Sequence, residues 1–226
     1  SLPRASIRWQ NRWAVAIVAT VNSLLTVARG EVGIKESPAN SNRVKYNTWY
    51  YGKEVSGSAY PWCMVFVQWC CTRAGVILPV RTASCGALMR AAKKIGAWVT
   101  SGYQAGDIVI YDFDGNGSTD HCGIVENVLS GGVVAIEGNT AQGNDANGGQ
   151  VQRRVRASRL IVGALRPQYT KEAKMDNTPG KYAEEAVRWA LESGLMQGSA
   201  DGDLKLHDSV TREQLMVFLY RLRKMG

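Results

Sequence analysis

The residues Trp62, Val65, Phe66 and Trp69 recur at steps of three and four, the spacing of one face of an α-helix. That periodicity predicts an amphipathic helix over residues 61 to about 71, with Pro61 at its first position, where the missing N–H has no intrahelical partner to lose. An earlier stripe of Leu24, Leu25, Val27 and Ala28 predicts a first helix ending at Gly30. Further on the period falls to two. Residues 106–111 and 120–125 flank a loop of Asp, Gly and Asn and read as strand, loop, strand. A third strand, residues 133–139, follows the turn Ser130, Gly131, Gly132. Helical spacing thus comes first along this part of the chain and strand spacing follows.

The helical period returns near the C-terminus. Tyr182, Ala186, Trp189 and Ala190 form one stripe ending at Ser193 and Gly194, and Leu215, Phe218, Leu219 and Leu222 form another. Asp208, Ser209 and Thr211, followed by Glu213, supply capping residues and acidic charge at the start of the last helix. Residues 180–226 are thus a small all-α helix-loop-helix module, too short to bury a good core alone. The polar stretch 169–179, broken by Pro179 and Gly180, suits a linker, which leaves 19–168 as the main domain. Residues 1–18 carry Arg4, Arg8 and Arg12 before an apolar run that Asn22 and Ser23 interrupt. They read as a leader or an expression remnant, and the run falls short of the roughly 18 apolar residues of a membrane span.

Charge divides at the same boundary. Residues 1–170 hold 18 Lys and Arg against 10 Asp and Glu, and 171–226 hold 9 against 9, so the whole +8 lies on the larger part. An anionic envelope would attract it. Nucleic acid is excluded, because Arg153, Arg154 and Arg156 lie in a strand-like segment and no nucleic-acid motif is present. Five cysteines, an odd number with Cys70 and Cys71 adjacent, do not make a disulfide framework. Cys70, Cys71, Cys85 and Cys122 read as buried, and the chain as made in a reducing compartment, with secretion as the alternative. Zinc at His121 and Cys122 is disfavoured, since adjacent strand residues face opposite ways and no paired ligand spacing exists.

Cys63 falls in the first turn of its predicted helix. There the unpaired N–H groups and the positive dipole end stabilise a thiolate. His121, one of two histidines, opens a strand, and Glu137 and Asn139 lie on the next. A hairpin that pairs odd positions with odd puts all three on one face, where a carboxylate or amide would hold the imidazole in one tautomer. In the intervening loop Asp112, Asp114, Asn116 and Asp120 alternate with glycines like the front half of a calcium loop, without its closing glutamate. They are a candidate calcium site or a solvated turn.

The segments 60–69, 106–111, 121–126 and 136–140 resemble the CHAP family of cysteine, histidine-dependent amidohydrolases and peptidases. The resemblance implies a papain-like α+β domain over 19–168, a helix with the cysteine packed on an antiparallel sheet with the histidine, that cuts amide bonds of bacterial peptidoglycan. It makes Cys63 the nucleophile, His121 the base and acid, Glu137 the orienting partner and Asn139 a further polar support. Trp62, beside the nucleophile, is a candidate substrate contact, and the thiol mechanism requires no cofactor. Some relatives bind calcium through aspartates upstream of the cysteine, but residues 40–59 contain none.

Residues 180–226 resemble an S-layer homology repeat, with Arg212 at the position implied to contact secondary wall polysaccharide. Such repeats usually occur in threes, so a single copy points to association of several chains, packing on the main domain or weak binding. The combined expectation is a phage or prophage endolysin, or an autolysin, made in the cytoplasm and acting at the wall. A noncatalytic wall-anchoring protein is the alternative. The sequence leaves muramoyl-alanine amidase and endopeptidase equally open.

Overall fold

The structure, a computed structural model, describes residues 19–170, 176–198 and 202–225. The expected leader, 1–18, and residues 171–175 of the expected linker lie outside these. The chain forms two compact units that divide between Lys171 and Glu172. Tyr169 donates its hydroxyl to the Gly106 carbonyl at 2.6 Å and the Thr170 N–H bonds Ala19, so both belong to the first unit. Asp176 and Asn177 instead bond Asp203 and Leu204 of the second. The described ends of the segment read as a linker are therefore structured parts of the two units.

The first unit has α1 (Val21–Gly30), α2 (Lys45–Tyr51), α3 (Cys63–Arg73) and α4 (Cys85–Lys94). Six strands follow: β1 (Trp98–Val99), β2 (Ile108–Tyr111), β3 (His121–Leu129), β4 (Gly132–Thr140), β5 (Gln150–Ala157) and β6 (Ile161–Leu165). They make one antiparallel sheet in the order β1-β6-β2-β3-β4-β5, an α+β arrangement. α1 starts with a capping box, in which Thr20 and Ser23 satisfy each other's backbone N–H. It buries Leu24, Leu25 and Ala28.

α3 departs from the sequence expectation in two ways. It begins at Cys63, with Trp62 as N-cap and Pro61 outside, so Cys63 itself holds the first helical position. Nor is it amphipathic: residues 63–68 and Cys70 and Cys71 are all buried, because α1 and α2 pack on one side of it and β3 and β4 on the other. Tyr46 of α2 ties the helices together, its ring centroid 5.4 Å from Trp62, 5.2 Å from Phe66 and 5.3 Å from Trp69.

The sheet is buried on both faces over its centre. Ile108, Ile110, Cys122, Ile124 and Ile136 face the helices, while Val109, Tyr111, Val125, Val133, Ala135 and Ala164 form a second cluster on the other face. Next to the β3–β4 turn the pairs are Leu129 with Gly132, Val128 with Val133 and Asn127 with Val134. Continued without a break, that register would set Glu137 opposite Ile124 and away from His121's face. A bulge at Glu126 intervenes, and beyond it Val125 pairs with Ala135 and Ile124 with Ile136. Only this shift of one residue brings His121 and Glu137 to the same face.

The second unit is helical among its described residues. α5 (Glu184–Glu192) follows a single 3₁₀ turn, and α6 (Arg212–Met225) completes the helix-loop-helix. Glu184 and Glu185 open α5, and Arg223 and Lys224 close α6, each sign at the dipole end that stabilises it. The α6 start is capped by Thr211 with Gln214: the Thr211 hydroxyl accepts from the Gln214 N–H, and the Gln214 amide oxygen accepts from the Thr211 N–H. Ala190 and Asp203 are the buried ones among its described residues, while Trp189, Leu215, Leu219 and Leu222 stay substantially exposed.

Gly138 in β4 lies against α3, where a Cβ would stand 2.5 Å from the Phe66 Cβ and 2.9 Å from the Trp62 ring. Replacing a strand glycine by alanine ordinarily gains backbone entropy. At this position overpacking wins, and Gly138→Ala is expected to lower stability by about 1–3 kcal/mol. Urea unfolding checks it, and a midpoint at or above that of the parent would contradict the close packing.

Candidate active site

The site is built around a carboxylate that the fold removes from water. Glu137, on β4, is 0 % exposed. Its Oε1 accepts from Arg156 Nε at 2.8 Å and its Oε2 from Arg156 Nη2 at 2.5 Å, while His121 Nε2 lies 3.1 Å from Oε2. Arg156 reaches across from β5 and is held from behind by Asp145 at 2.9 Å. Its guanidinium lies over the Tyr111 and Phe113 rings, 5.5 and 4.9 Å from their centroids. Burial alone would raise the Glu137 pKa, but Arg156 and His121 outweigh it and hold the carboxyl below its ordinary value.

His121 is the first residue of β3 and fully buried. Its ring stacks on Tyr111 at 6.1 Å. Because Nε2 is committed to Glu137, the other nitrogen, Nδ1, is left with no hydrogen-bond partner. Burial disfavours the charged ring, yet its interactions with Cys63 and Glu137 win and push the pKa up to about 9. Cys63 is the other side of that coupling. Contacts with the Cys122 and Cys85 thiols, aided by His121, overcome burial and hold the Cys63 thiol well below its ordinary value. Its place at the first position of α3 adds unpaired N–H groups and the positive dipole end.

Two further thiols therefore belong to the site. Cys63 Sγ is 4.0 Å from Cys85 Sγ, and the three sulfurs of Cys63, Cys85 and Cys122 all lie within 4.8 Å of one another. Cys85 and Cys122 are buried, as expected from the sequence, but both stand against Cys63. Cys85 is pushed well above its ordinary pKa: the Cys122 contact favours ionisation, and Cys63 and burial override it. Burial, with Cys63 and Cys85, does the same to Cys122. Of the three, Cys63 is the one whose pKa is lowered, and His121 acts on it in addition to the thiols.

Other expected residues take different places. Asn139 has a left-handed backbone, φ 58°, and spends its amide on the following loop, donating to Asn147 at 3.1 Å and accepting from the Gly149 N–H at 3.2 Å. It positions the end of β4, and its hydrogen bonds go to that loop and not to His121. Trp62, expected at the substrate, is fully buried in the core and hydrogen-bonds Glu36, so it cannot form a contact surface. The carboxylates of Asp112, Asp114 and Asp120 do converge within 4.8 Å. Their oxygens, and that of Asn116, accept loop N–H bonds from Gly115, Gly117, Asn116, Phe113 and Ser118, which hold the turn by itself. Arg212 is exposed at the start of α6 and makes no ion pair with a described residue.

Sequence reasoning missed Arg156 and Gly123 as well as the two thiols. A Cβ on Gly123 would sit 2.7 Å from the Glu137 side chain, so this glycine is the room into which Glu137 folds. The signal for Arg156 was present: a carboxylate on a buried strand demands a cation on its neighbour.

Residues 55–139 match the family model of the CHAP domain, a span that contains Cys63, His121, Glu137 and Asn139. No curated protein matches the chain. Among solved structures, the crystal structure of Ly7917 is similar at 19 % identity and a TM-score of 0.40, over 66 % of this chain and 62 % of that one. The chain thus spans less than two thirds of that structure's length.

Two outcomes follow from the charges. Removing the cation by Arg156→Met leaves the buried Glu137 with His121 as its one remaining charged partner among those described, which should cost about 3–5 kcal/mol in urea unfolding. A loss under about 1 kcal/mol would show that the pair is not the buried anchor described. For reactivity, a Cys63 thiol held well below its ordinary pKa and a His121 pKa of about 9 favour a thiolate beside an imidazolium, a pairing that ends as pH rises past about 9. Iodoacetamide should therefore alkylate Cys63 readily at pH 6, with the profile changing as pH passes about 9 and the imidazolium loses its proton. A rate climbing about tenfold per unit between pH 6 and 8, as for an ordinary thiol, would refute the assignment.

Proposed function

We propose that the chain is a thiol-dependent peptidoglycan hydrolase, an amidase or endopeptidase that cleaves an amide bond of the bacterial cell wall. What carries the reading is the charge arrangement, an ionised Cys63 at a helix start beside a His121 whose far nitrogen is fixed on Glu137, inside the stretch that matches the CHAP domain. Cys63 is the slightly exposed member, at 6 % against 0 % for His121 and Glu137, and so the one a substrate reaches.

In this reading the Cys63 thiolate adds to the amide carbonyl carbon, and the oxygen takes the negative charge. The Cys63 N–H, at the first helical position and without an intrahelical acceptor, faces that oxyanion. His121 Nδ1 delivers its proton to the departing amine, the C–N bond breaks, and a thioester remains on Cys63. Water then attacks the thioester as Nδ1 takes its proton, which releases the acid and restores thiolate and imidazolium. Glu137 keeps Nε2 protonated throughout, so the proton traffic is confined to Nδ1. Arg156 acts through Glu137 as a positioning residue.

The second unit supports retention at the wall. Its resemblance to an S-layer homology repeat and the exposed Arg212, without an ion pair among the described residues, suit an anionic polysaccharide. With the +8 charge on residues 1–170, the proposal extends to an endolysin-like enzyme that meets a negatively charged wall. Its place of action is accordingly the bacterial envelope.

Cys63→Ala and His121→Ala should each reduce amine release from purified walls by at least about a thousandfold while far-ultraviolet circular dichroism stays near that of the parent, His121→Ala also unfolding at a lower temperature because it strips a buried partner from Glu137. Retained release in either folded variant would overturn the proposal. Mass analysis of the parent digest assigns the bond: a new muramic acid carboxyl means amidase, and a new end within the stem or cross-bridge peptide means endopeptidase.

A further inference from the structure

We propose that Cys63, Cys85 and Cys122 form a site for a soft divalent cation of the zinc type, and that the ion caps the proposed nucleophile. The three sulfurs are buried, mutually within 4.8 Å, with Cys63 and Cys85 at 4.0 Å. Thiolates bound to zinc at about 2.3 Å in tetrahedral directions stand about 3.8 Å apart, so closure needs shifts of at most about 1 Å. The ligands come from three separate elements, which is why ligand spacing along the chain gave no hint of them. His121 and Cys122 do face opposite ways, as the sequence implied, but the partners of Cys122 are supplied by helices.

The surroundings suit the charge of such a complex. Cys63 is the first residue of α3 and Cys85 the first of α4, so two helix starts, with their unpaired N–H groups, converge on the sulfurs. Three thiolates around a dication leave a net charge of −1, which these dipoles favour. The hard-oxygen cluster of Asp112, Asp114 and Asp120 offers nothing comparable to a soft ion. Cys122 Sγ also lies 3.9 Å from the Met64 thioether, so the lining is rich in polarisable sulfur. The three sulfurs leave a fourth tetrahedral position for water. Binding displaces the protons of the thiols, so occupancy falls as pH falls.

Binding stands on the thiol geometry alone, whereas its inhibitory effect rests on the proposed hydrolase reading. The reduced full chain, kept anaerobic, is titrated with one equivalent of Co²⁺ and then Zn²⁺, and wall lysis is followed in parallel. Near-ultraviolet thiolate-to-cobalt charge-transfer bands should appear and be bleached by zinc. Zinc should also protect Cys63 from iodoacetamide and cut lysis at least about tenfold, reversibly with a chelator. In Cys85→Ser and Cys122→Ser the bands should weaken, and the ratio of lysis without zinc to lysis with zinc should fall toward one. No bands in the parent, or bands unchanged in both folded variants, would overturn the site. Loss of two hydrogens on air exposure without metal bands would replace it by a Cys63–Cys85 disulfide. Bands with undiminished lysis would overturn the capping alone, and absence of lysis before any metal is added would count against the hydrolase reading instead.

Discussion

A single buried charge organises the larger unit. Glu137 has no exposed surface, and an isolated carboxylate taken out of water would neutralise itself or unfold its surroundings. The chain answers with Arg156 from one side and His121 from the other. Both oxygens are met, so the residue stays ionised. The Arg156 cation is itself stabilised by Asp145 and by two aromatic faces. What reaches Cys63 is the last member of this series, an imidazole whose orientation and charge are fixed by a carboxylate that cannot move.

The geometry of that series depends on one extra residue. The turn at Ser130 and Gly131 sets a register that would separate His121 from Glu137 by a sheet face, and the bulge at Glu126 corrects it. Glu126 is pinned there by Arg153, with donors on both its oxygens, and by Arg29 at 2.7 Å, and these hold its pKa far down. Arg153 and Arg156 are therefore not a basic surface in search of an anionic partner. One fixes the bulge and the other neutralises Glu137, and both sit on β5. Two glycines complete the fit: Gly123 makes room for Glu137, and Gly138 lets β4 close on Phe66 and Trp62.

Much of this was legible because it is local. A cysteine opening a helix and a histidine opening a strand announce themselves through periodicity and punctuation alone, and Cys63 proved to be even nearer the helix start than its spacing suggested. The pairing of His121 with Glu137 was also anticipated, but for an incomplete reason, since a plain hairpin about that turn has the wrong parity. Bulges leave little trace in a hydrophobic pattern. Trp62 was misplaced because an aromatic beside a reactive cysteine looks the same in sequence whether it lines a cleft or fills the core. In the fold its neighbours are Tyr46 and Phe66. Asn139 looked like a ligand of the histidine because parity ignores φ, and a left-handed residue leaves the strand pattern altogether.

The thiol cluster raises a different question, why one of three neighbouring sulfurs should ionise and not another. Two of them, Cys63 and Cys85, share the advantage of a helix start. Adjacent thiolates repel, so the cluster accepts one negative charge and the remaining thiols turn their S–H groups toward it. Those contacts are the leading reason that Cys63 is lowered, but they are reciprocal and cannot choose a winner. His121 is not reciprocal. It acts on Cys63 and is absent from the main influences on Cys85 and Cys122. The imidazole therefore favours Cys63 over its neighbours, the imidazole is held by Glu137, and Glu137 is kept in place by Arg156 and the bulge. A soft cation that replaced the thiol protons would remove that asymmetry, since all three sulfurs would then carry charge and Cys63 would no longer be the distinct one.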